Sequence, residues 1–366
     1  MVLREKITQT DQSLRIANQF YGLKLKYGLQ FMSSLLLPLV LGVFTAIITI
    51  QQQSAAREQR NQDRNASEKQ RLEDQMAAKQ LRELEGTLSD NRYKDDAFDA
   101  YIKEIGTMMQ NNHGMLTSNL VTATITRAKT LTIFRRLDAS RNIQIIQFLY
   151  EAGQLGEKNN QSALDISTAE LREVDFRYLA INKKKLNDLS LAGIFLWNAT
   201  FTRIEISRTN FSGAQLDNAS FSLTQIENVD FTFATINNAN FLSAELGRVD
   251  LSFSSIYNAN FSSASLFDTN LSNARLENID FSFALLQNVN FSKALLFNVS
   301  FAHARLFNVA FEFGTLHDID FSYAKLWEPV FILAQFIHVI FSSAVLGDIH
   351  KHFTFFYQKA MHKFNF

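Results

Sequence analysis

Residues 271 to 310 read LSNARLENID FSFALLQNVN FSKALLFNVS FAHARLFNVA, and Leu or Phe occupies every fifth position of this stretch. The same spacing of large apolar residues continues in phase from Ile166 to Leu346, over 37 consecutive positions. Helices repeat apolar residues every 3.6 positions and half-buried strands every two, so a period of five fits neither. The period indicates a repeat protein in which every five-residue unit contributes one large side chain to a shared core.

Each unit consists of a small residue, a polar residue, the large apolar centre, a polar residue and a variable residue, as in Ala214 to Asn218 (AQLDN). From Phe201 onward, Phe centres, with Leu at two of these positions, alternate with Leu or Ile centres, so the full unit is ten residues long. We expect the centre and the small residue to face inward. The predicted core includes Phe211, Phe221, Phe281, Phe291, Phe301, Leu286, Leu296 and Leu306.

Asn recurs two residues after the Leu or Ile centre, for example at Asn278, Asn288 and Asn298. Asn tolerates positive φ and suits the corner of a turn. We therefore interpret these residues as structural and attribute their restriction to one kind of corner to that backbone preference.

The array resembles the pentapeptide-repeat family, and the resemblance covers half of the chain, residues 164 to 348. It implies a mainly β fold, a right-handed quadrilateral β-helix with one unit per side and about 20 residues per coil. With strands about 4.8 Å apart, nine or so coils would form a rod of about 44 Å. Residues 127 to 155 resemble the helical lead-in of membrane-anchored members of this family, which are common in cyanobacteria.

The segment before the array predicts a membrane anchor. Charged residues are absent from Tyr27 to Ala56, and residues 31 to 50 read FMSSLLLPLVLGVFTAIITI. As a helix, this stretch spans roughly 30 Å, the thickness of a bilayer core, so we predict a single-pass membrane protein that contacts the lipid bilayer through residues 31 to 50. Pro38 is tolerated in such a helix and marks a position for a kink. Three Lys or Arg residues before the span and four after it leave its orientation open.

Six regions follow from these patterns. Residues 51 to 90 are polar and rich in helix formers, which predicts a helical stalk. Apolar residues at heptad spacing extend over only about two heptads of this stalk, so its self-association through a coiled coil stays open. A solenoid needs caps with polar faces, which is the role we expect of the helical region that precedes the array. The predicted regions are a basic leader (1–26), a transmembrane helix (27–50), a helical stalk (51–90), a helical N-terminal cap (91–160), the repeat β-helix (164–348) and a C-terminal cap (349–366).

Motifs for chemistry are missing from the sequence. The chain has no Cys, and it carries no phosphate-binding loop, nucleophile elbow or zinc-protease signature. His350, His352 and His362 are spaced too irregularly to predict a metal site. We therefore expect no enzymatic activity, no cofactor, no metal and no small-molecule substrate.

Aromatic residues at outward positions are the strongest functional signal. Phe267, Phe307 and Trp327 share one place in the repeat, a whole number of predicted coils apart, which stacks them along one edge of a four-sided coil. Such columns either stabilise stacked strands or form an apolar patch for a partner. The candidate interaction residues are Phe267, Phe307, Trp327, Phe297, Phe233, Phe253, Phe283 and Tyr323.

Two functions compete. The anchor, the stalk and the aromatic columns favour a membrane-anchored scaffold that binds an unknown protein partner or itself. The alternative is a DNA mimic that inhibits or protects a topoisomerase, as the family resemblance allows. Residues 211 to 348 contain 13 acidic and 5 basic residues, a net charge of −8. These charges are dilute, and a membrane anchor is a poor location for a DNA mimic, which argues against nucleic acid as a partner.

Overall fold

The computed structural model describes residue 19 and residues 26–156, 162–179 and 185–347. Contacts divide the chain into two compact units, Met1–Ser89 and Asp90–Phe366. The predicted C-terminal cap, residues 349 to 366, and most of the basic leader lie outside the described residues.

One long helix, α1, runs without interruption from Leu37 to Asn111. A π-helical turn, Met32–Leu36, precedes it, and Pro38, where we expected a kink, lies two residues after the end of this turn. Local π-helical geometry accommodates the missing N–H of a proline in an apolar helix. From Gln51 to Tyr93, α1 is largely polar and exposed, and ion pairs four residues apart, such as Arg64 with Glu68 at 3.2 Å, lie along its surface.

Two shorter helices, α2 (Leu120–Phe134) and α3 (Ala139–Glu151), follow, and Asn119 and Asp138 cap their N-termini through their side chains. Both helices pack against the first strand of the solenoid. They bury apolar side chains against the end of α1, where the hydroxyl of Tyr101 lies 2.8 Å from that of Thr130. Burial raises the pKa of the Tyr101 phenol well above its ordinary value.

The helices also satisfy polar groups at the open end of the solenoid. The Tyr150 hydroxyl donates to the Asn187 carbonyl at 2.9 Å and accepts from the Asn187 N–H at 3.1 Å. At the junction, Gly156 approaches the backbone so closely that a Cβ there would overlap the Asp188 carbonyl oxygen. The two helices thus contact the first described coils, and their role as a cap of the solenoid remains a prediction.

The remainder of the described chain is a parallel β-solenoid with a two-stranded, a six-stranded and a nine-stranded sheet. The nine-stranded sheet contains one strand from each coil, from the strand centred on Leu186 to the strand centred on Leu346. The six-stranded sheet lies half a coil away in sequence. The strands are β1 (Glu170–Arg172), β2 (Lys185–Asn187), β3 (Phe195–Trp197), β4 (Glu205–Ser207), β5 (Gln225–Glu227), β6 (Thr235–Asn237), β7 (Glu245–Gly247), β8 (Ser255–Tyr257), β9 (Ser265–Phe267), β10 (Arg275–Asp280), β11 (Leu285–Gln287), β12 (Leu295–Ser300), β13 (Arg305–Phe307), β14 (Thr315–Asp320), β15 (Lys325–Trp327), β16 (Gln335–Ile337) and β17 (Val345–Gly347).

The first coil is longer than the coils that follow it. Strand β1 pairs with β3 in a register that joins Leu171 to Leu196, whereas β2 pairs with β4 in a register that joins Leu186 to Ile206. The sequence separation between Leu171 and Leu196 exceeds that between Leu186 and Ile206 by one whole five-residue unit. Because an added unit preserves the phase of five, the sequence pattern does not reveal it.

The core consists of stacked Phe rings. Phe301 is fully buried and stacks on Phe281 at 5.2 Å and on Phe321 at 5.0 Å, one coil away on either side. Its edge meets Phe291 and Phe311, each at 6.0 Å, from the opposite wall. The other predicted core residues are also fully buried: Phe211, Phe221, Phe281, Phe291, Leu286, Leu296 and Leu306.

The corners require a different explanation from the one that the sequence suggested. Positive φ occurs not only at Asn278 (58°) but also after the Phe centres, as at Phe283 (62°), so backbone preference alone does not restrict Asn to one corner. The Asn side chains instead hydrogen-bond from coil to coil. Asn278 Nδ2 donates to Asn258 Oδ1 at 2.9 Å, and Asn298 Nδ2 donates to Asn278 Oδ1 at 2.8 Å.

Beyond Pro329 the outer surface becomes apolar. The exposed large apolar side chains there are Ile332, Leu333, Ile337, Ile340 and Val345. Coverage of this surface by residues 349 to 366 remains a prediction.

Candidate interaction surface

The outer face of the nine-stranded sheet is a grid of side chains. In each coil, a corner residue, the first residue of the strand and the third residue of the strand point outward, and the same three places recur in the next coil. Three consecutive coils thus present three parallel columns of side chains. The corner column contains residues 283, 303 and 323, the first strand column contains 285, 305 and 325, and the third strand column contains 287, 307 and 327.

The corner column is a continuous exposed ring stack. The Phe283 ring stacks on His303 at 4.8 Å with 2° between the ring planes, and His303 stacks on Tyr323 at 4.8 Å with 4°. Phe283 is 63% exposed and Tyr323 is 56% exposed. The sequence pattern identified the two outer rings but missed His303, although it lies midway between them in the repeat.

The third strand column is more deeply packed. The rings of Phe307 and Trp327 stack at 4.4 Å, and both side chains are half-buried. The Trp327 indole also covers Gly347, where a Cβ would lie 2.6 Å from its Cδ1 atom. Stacked aromatic pairs on neighbouring strands are stabilising in general, so the geometry of this pair is compatible with a structural role. Phe267, in the same column, is exposed beside Gln287.

Between these two columns lie two cations. Arg305 and Lys325 occupy directly opposite positions on β13 and β15, and both are exposed. Neither forms an ion pair with a carboxylate of the described residues. Earlier in the same column, Lys185 pairs with Glu205 at 2.8 Å. Like charges placed directly opposite each other in a sheet are destabilising, so the later coils depart from a favourable arrangement.

We call this region the aromatic-basic face. It contains Phe267, Phe283, Leu285, His303, Arg305, Phe307, Tyr323, Lys325 and Trp327.

Three of the candidate residues lie elsewhere. Phe233 and Phe253 stack at 5.1 Å on the corner that precedes the six-stranded sheet, and they are 65% and 51% exposed. Phe297 belongs to the six-stranded sheet itself, where its ring lies 5.7 Å from the Arg275 guanidinium. That cation is already paired with Glu277 at 3.1 Å, and this hydrogen bond raises the pKa of Arg275. The eight candidates therefore do not form one surface.

Comparison with known proteins identifies the repeat. A family profile described as "Pentapeptide repeats" matches in 8 copies, with matched residues 185–222, 204–241, 224–262, 244–282 and 274–312. No curated protein sequence matches the chain.

Similar solved structures include that of QnrB1, a plasmid-mediated fluoroquinolone resistance protein, at 16% identity over 45% of this chain and 83% of that one, with a TM-score of 0.32. Another is HetL from the cyanobacterium Nostoc sp. strain PCC 7120, a pentapeptide repeat protein involved in heterocyst differentiation regulation, at 18% identity over 57% of this chain and 94% of that one, with a TM-score of 0.21. A pentapeptide repeat protein from the Arabidopsis thaliana thylakoid lumen matches at 25% identity over 30% of this chain and 66% of that one, with a TM-score of 0.16. These scores are too low to support a functional argument.

Proposed function

This chain belongs to the pentapeptide-repeat family, and we propose that its solenoid is a protein-binding scaffold that contacts its partner through the aromatic-basic face and is held at a membrane by residues 31 to 50.

The observation that carries this proposal is the exposed stack of Phe283, His303 and Tyr323 beside two cations that have no carboxylate partner among the described residues. The backbone at all three stacked residues has positive φ, between 57° and 62°. Positive φ recurs at the corners throughout the array, so the conformation by itself does not mark a site. What distinguishes this corner is that aromatic rings, which are disfavoured at positive φ, occupy it in three consecutive coils. Folding alone would be served better by Asn, which occupies the neighbouring corners.

The chemistry of the face specifies the kind of partner. Aromatic residues and Arg supply most of the binding energy in protein interfaces, and charged side chains select the partner by complementarity. A protein surface that offers carboxylates around an apolar centre would neutralise Arg305 and Lys325 while covering the rings. The basic character of this face also argues against the DNA-mimic alternative, which needs an acidic surface.

Features of the apolar helix support the membrane anchor. The helix that begins at Leu37 is long and apolar enough to cross a membrane, by length and composition. Its apolar side chains are exposed all round, from Leu37 to Ile50. The hydroxyls of Thr45 and Thr49 donate to carbonyls of their own helix, each at 2.7 Å, so they need no water.

Site-specific photo-crosslinking in native membranes tests the binding surface. A photoreactive residue at position 283 should capture an acidic partner. The yield of this adduct should fall with added salt and vanish when Arg305 and Lys325 are both changed to Glu. The matched control places the photoreactive residue at position 233, a similarly exposed Phe on the other side of the solenoid.

Two results would refute the proposed face: the same adducts at both positions, or adducts at position 283 that survive the charge reversal in a folded protein. An adduct of twice the chain mass would identify a second copy as the partner.

The anchor is tested separately. In sealed vesicles the protein should stay in the membrane fraction after carbonate washing, and protease protection then reports which side carries the solenoid. Release by carbonate would refute the anchor without affecting the proposed binding face.

A further inference from the structure

A cluster of three side chains that could bind a metal lies on the six-stranded side of the solenoid, away from the aromatic-basic face. The Nδ1 atom of His317 lies 2.8 Å from Asp318 Oδ2, and the Nδ1 atom of His338 lies 3.1 Å from Asp318 Oδ1. One ligand atom from each residue lies within 4.8 Å of the other two. Two imidazoles and one carboxylate form a ligand set that suits Zn²⁺ and similar divalent transition metals.

The cluster stands where the side-chain ladder of the corner changes. Asn258, Asn278 and Asn298 form the ladder up to this point, and the next two positions in the column are Asp318 and His338. A carboxylate has no hydrogen to donate, so Asp318 cannot continue the ladder by donating to Asn298. Both departures from Asn introduce metal-binding groups, and His317, the residue before Asp318, adds a third.

We propose that His317, Asp318 and His338 bind one divalent transition metal ion of the zinc class, with water completing the coordination. With bonds of about 2.0 to 2.2 Å, ligand atoms in a tetrahedral zinc site are roughly 3.3 Å apart. The two His–Asp separations, 2.8 and 3.1 Å, are near this value, and all three ligand atoms lie within 4.8 Å of one another. His338 and Asp318 are exposed, so small side-chain rotations could bring the ligands into place. The bound ion would join two consecutive coils near the end of the described solenoid.

The sequence pattern did not reveal this site because His338 comes from the coil after the one that contains His317 and Asp318. The useful signal is the coil length: positions 318 and 338 occupy the same place in consecutive coils and are therefore neighbours in space. The three histidines of the tail, His350, His352 and His362, are closer together in sequence but lie outside the described residues.

Calorimetric titration of the full-length chain in detergent tests the proposal, with ZnCl₂ as the probe and a purification tag that contains no His. One Zn²⁺ should bind per chain, and Co²⁺ at the same site should give a visible absorption spectrum typical of low coordination number. His338→Ala should abolish binding, and Asp318→Asn should weaken it at least 10-fold. Zn²⁺ should also raise the thermal unfolding midpoint of the wild type but not that of His338→Ala, because ligand binding to the folded state stabilises it.

Two control variants make the result specific. His303→Ala removes an exposed imidazole from the aromatic-basic face. The triple variant His350→Gln, His352→Gln and His362→Gln removes the competing ligands of the tail. Both variants should bind Zn²⁺ like the wild type. Failure of the wild type to bind, or unchanged binding in a folded His338→Ala variant, would overturn the proposal. Loss of binding in the tail variant would also overturn it, since the site would then be in the tail.

Discussion

Replacement of Phe301 by Ala tests the ring-stacked core most directly. The Phe301 ring is fully buried between two stacked rings and touches two more at their edges. A Phe to Ala change in a core typically costs about 3 to 5 kcal/mol, and the loss depends on how far the surroundings collapse into the cavity. Collapse is restricted here because backbone hydrogen bonds hold each coil to the next, as between Phe301 N and Asp320 O at 2.7 Å. We therefore expect a loss of about 5 kcal/mol, at the upper end of that range.

Intrinsic fluorescence during urea unfolding provides the measurement. The chain has 2 Trp residues, and both Trp197 and Trp327 lie in the solenoid, so the signal does not report on the long helix. The midpoint and the slope must both be fitted, because a repeat array can unfold in parts and a changed slope would reveal it.

Two variants calibrate the result. Phe313→Ala removes a ring that is 51% exposed and should cost less than about 1 kcal/mol. Phe301→Leu should fall between the two at about 1 to 2 kcal/mol, since Leu refills part of the cavity and already serves as the centre at Leu251 and Leu271. A Phe301→Ala variant that loses no more stability than Phe313→Ala would refute the idea that stacked rings carry the core.

Three further outcomes follow from the structure. Asn288→Ala should cost about 1 to 2 kcal/mol in urea unfolding, since it breaks two ladder hydrogen bonds of 2.8 and 3.0 Å, and Asn288→Gly, which relieves the positive φ, should cost less. An Asn288→Ala midpoint equal to that of the wild type would show that the ladder contributes nothing. Gly156→Ala should lower the melting temperature by several degrees, because the added Cβ would meet the Asp188 carbonyl oxygen. Gly86→Ala on the exposed helix should not lower it, and equal effects of the two substitutions would contradict the close approach at Gly156. Because burial raises the pKa of Tyr101 in the folded state, the stability that this neutral phenol contributes is full below about pH 10 and is lost at higher pH. Tyr101→Phe should therefore flatten the decline in melting temperature at alkaline pH. An unchanged decline would assign the pH dependence to other groups.

The period of five predicted the inward residues correctly because the direction of each side chain in this fold depends on its place in the unit. Phe281 and Leu286 point inward for that reason, and the neighbouring coils that bury them repeat the same unit. The length of the first coil was not predictable in the same way. An added unit keeps the phase, and only the pairing of Leu171 with Leu196 shows it.

The surface depended more strongly on the structure. The spacing of the repeat indicated where aromatic columns lie, but it did not distinguish the half-buried Trp327, which covers Gly347, from the exposed Tyr323. It also passed over His303, Arg305 and Lys325, because a polar residue at an outward position looks ordinary until its neighbours in the adjacent coils are known.

The sequence by itself determined the repeat, the identity of the core and the apolar segment, since each of these follows from local spacing and composition. The tertiary structure decided which outward side chains become neighbours. That outcome depends on the register between coils, which backbone hydrogen bonds set, and it assembled both the aromatic-basic face and the cluster of His317, Asp318 and His338.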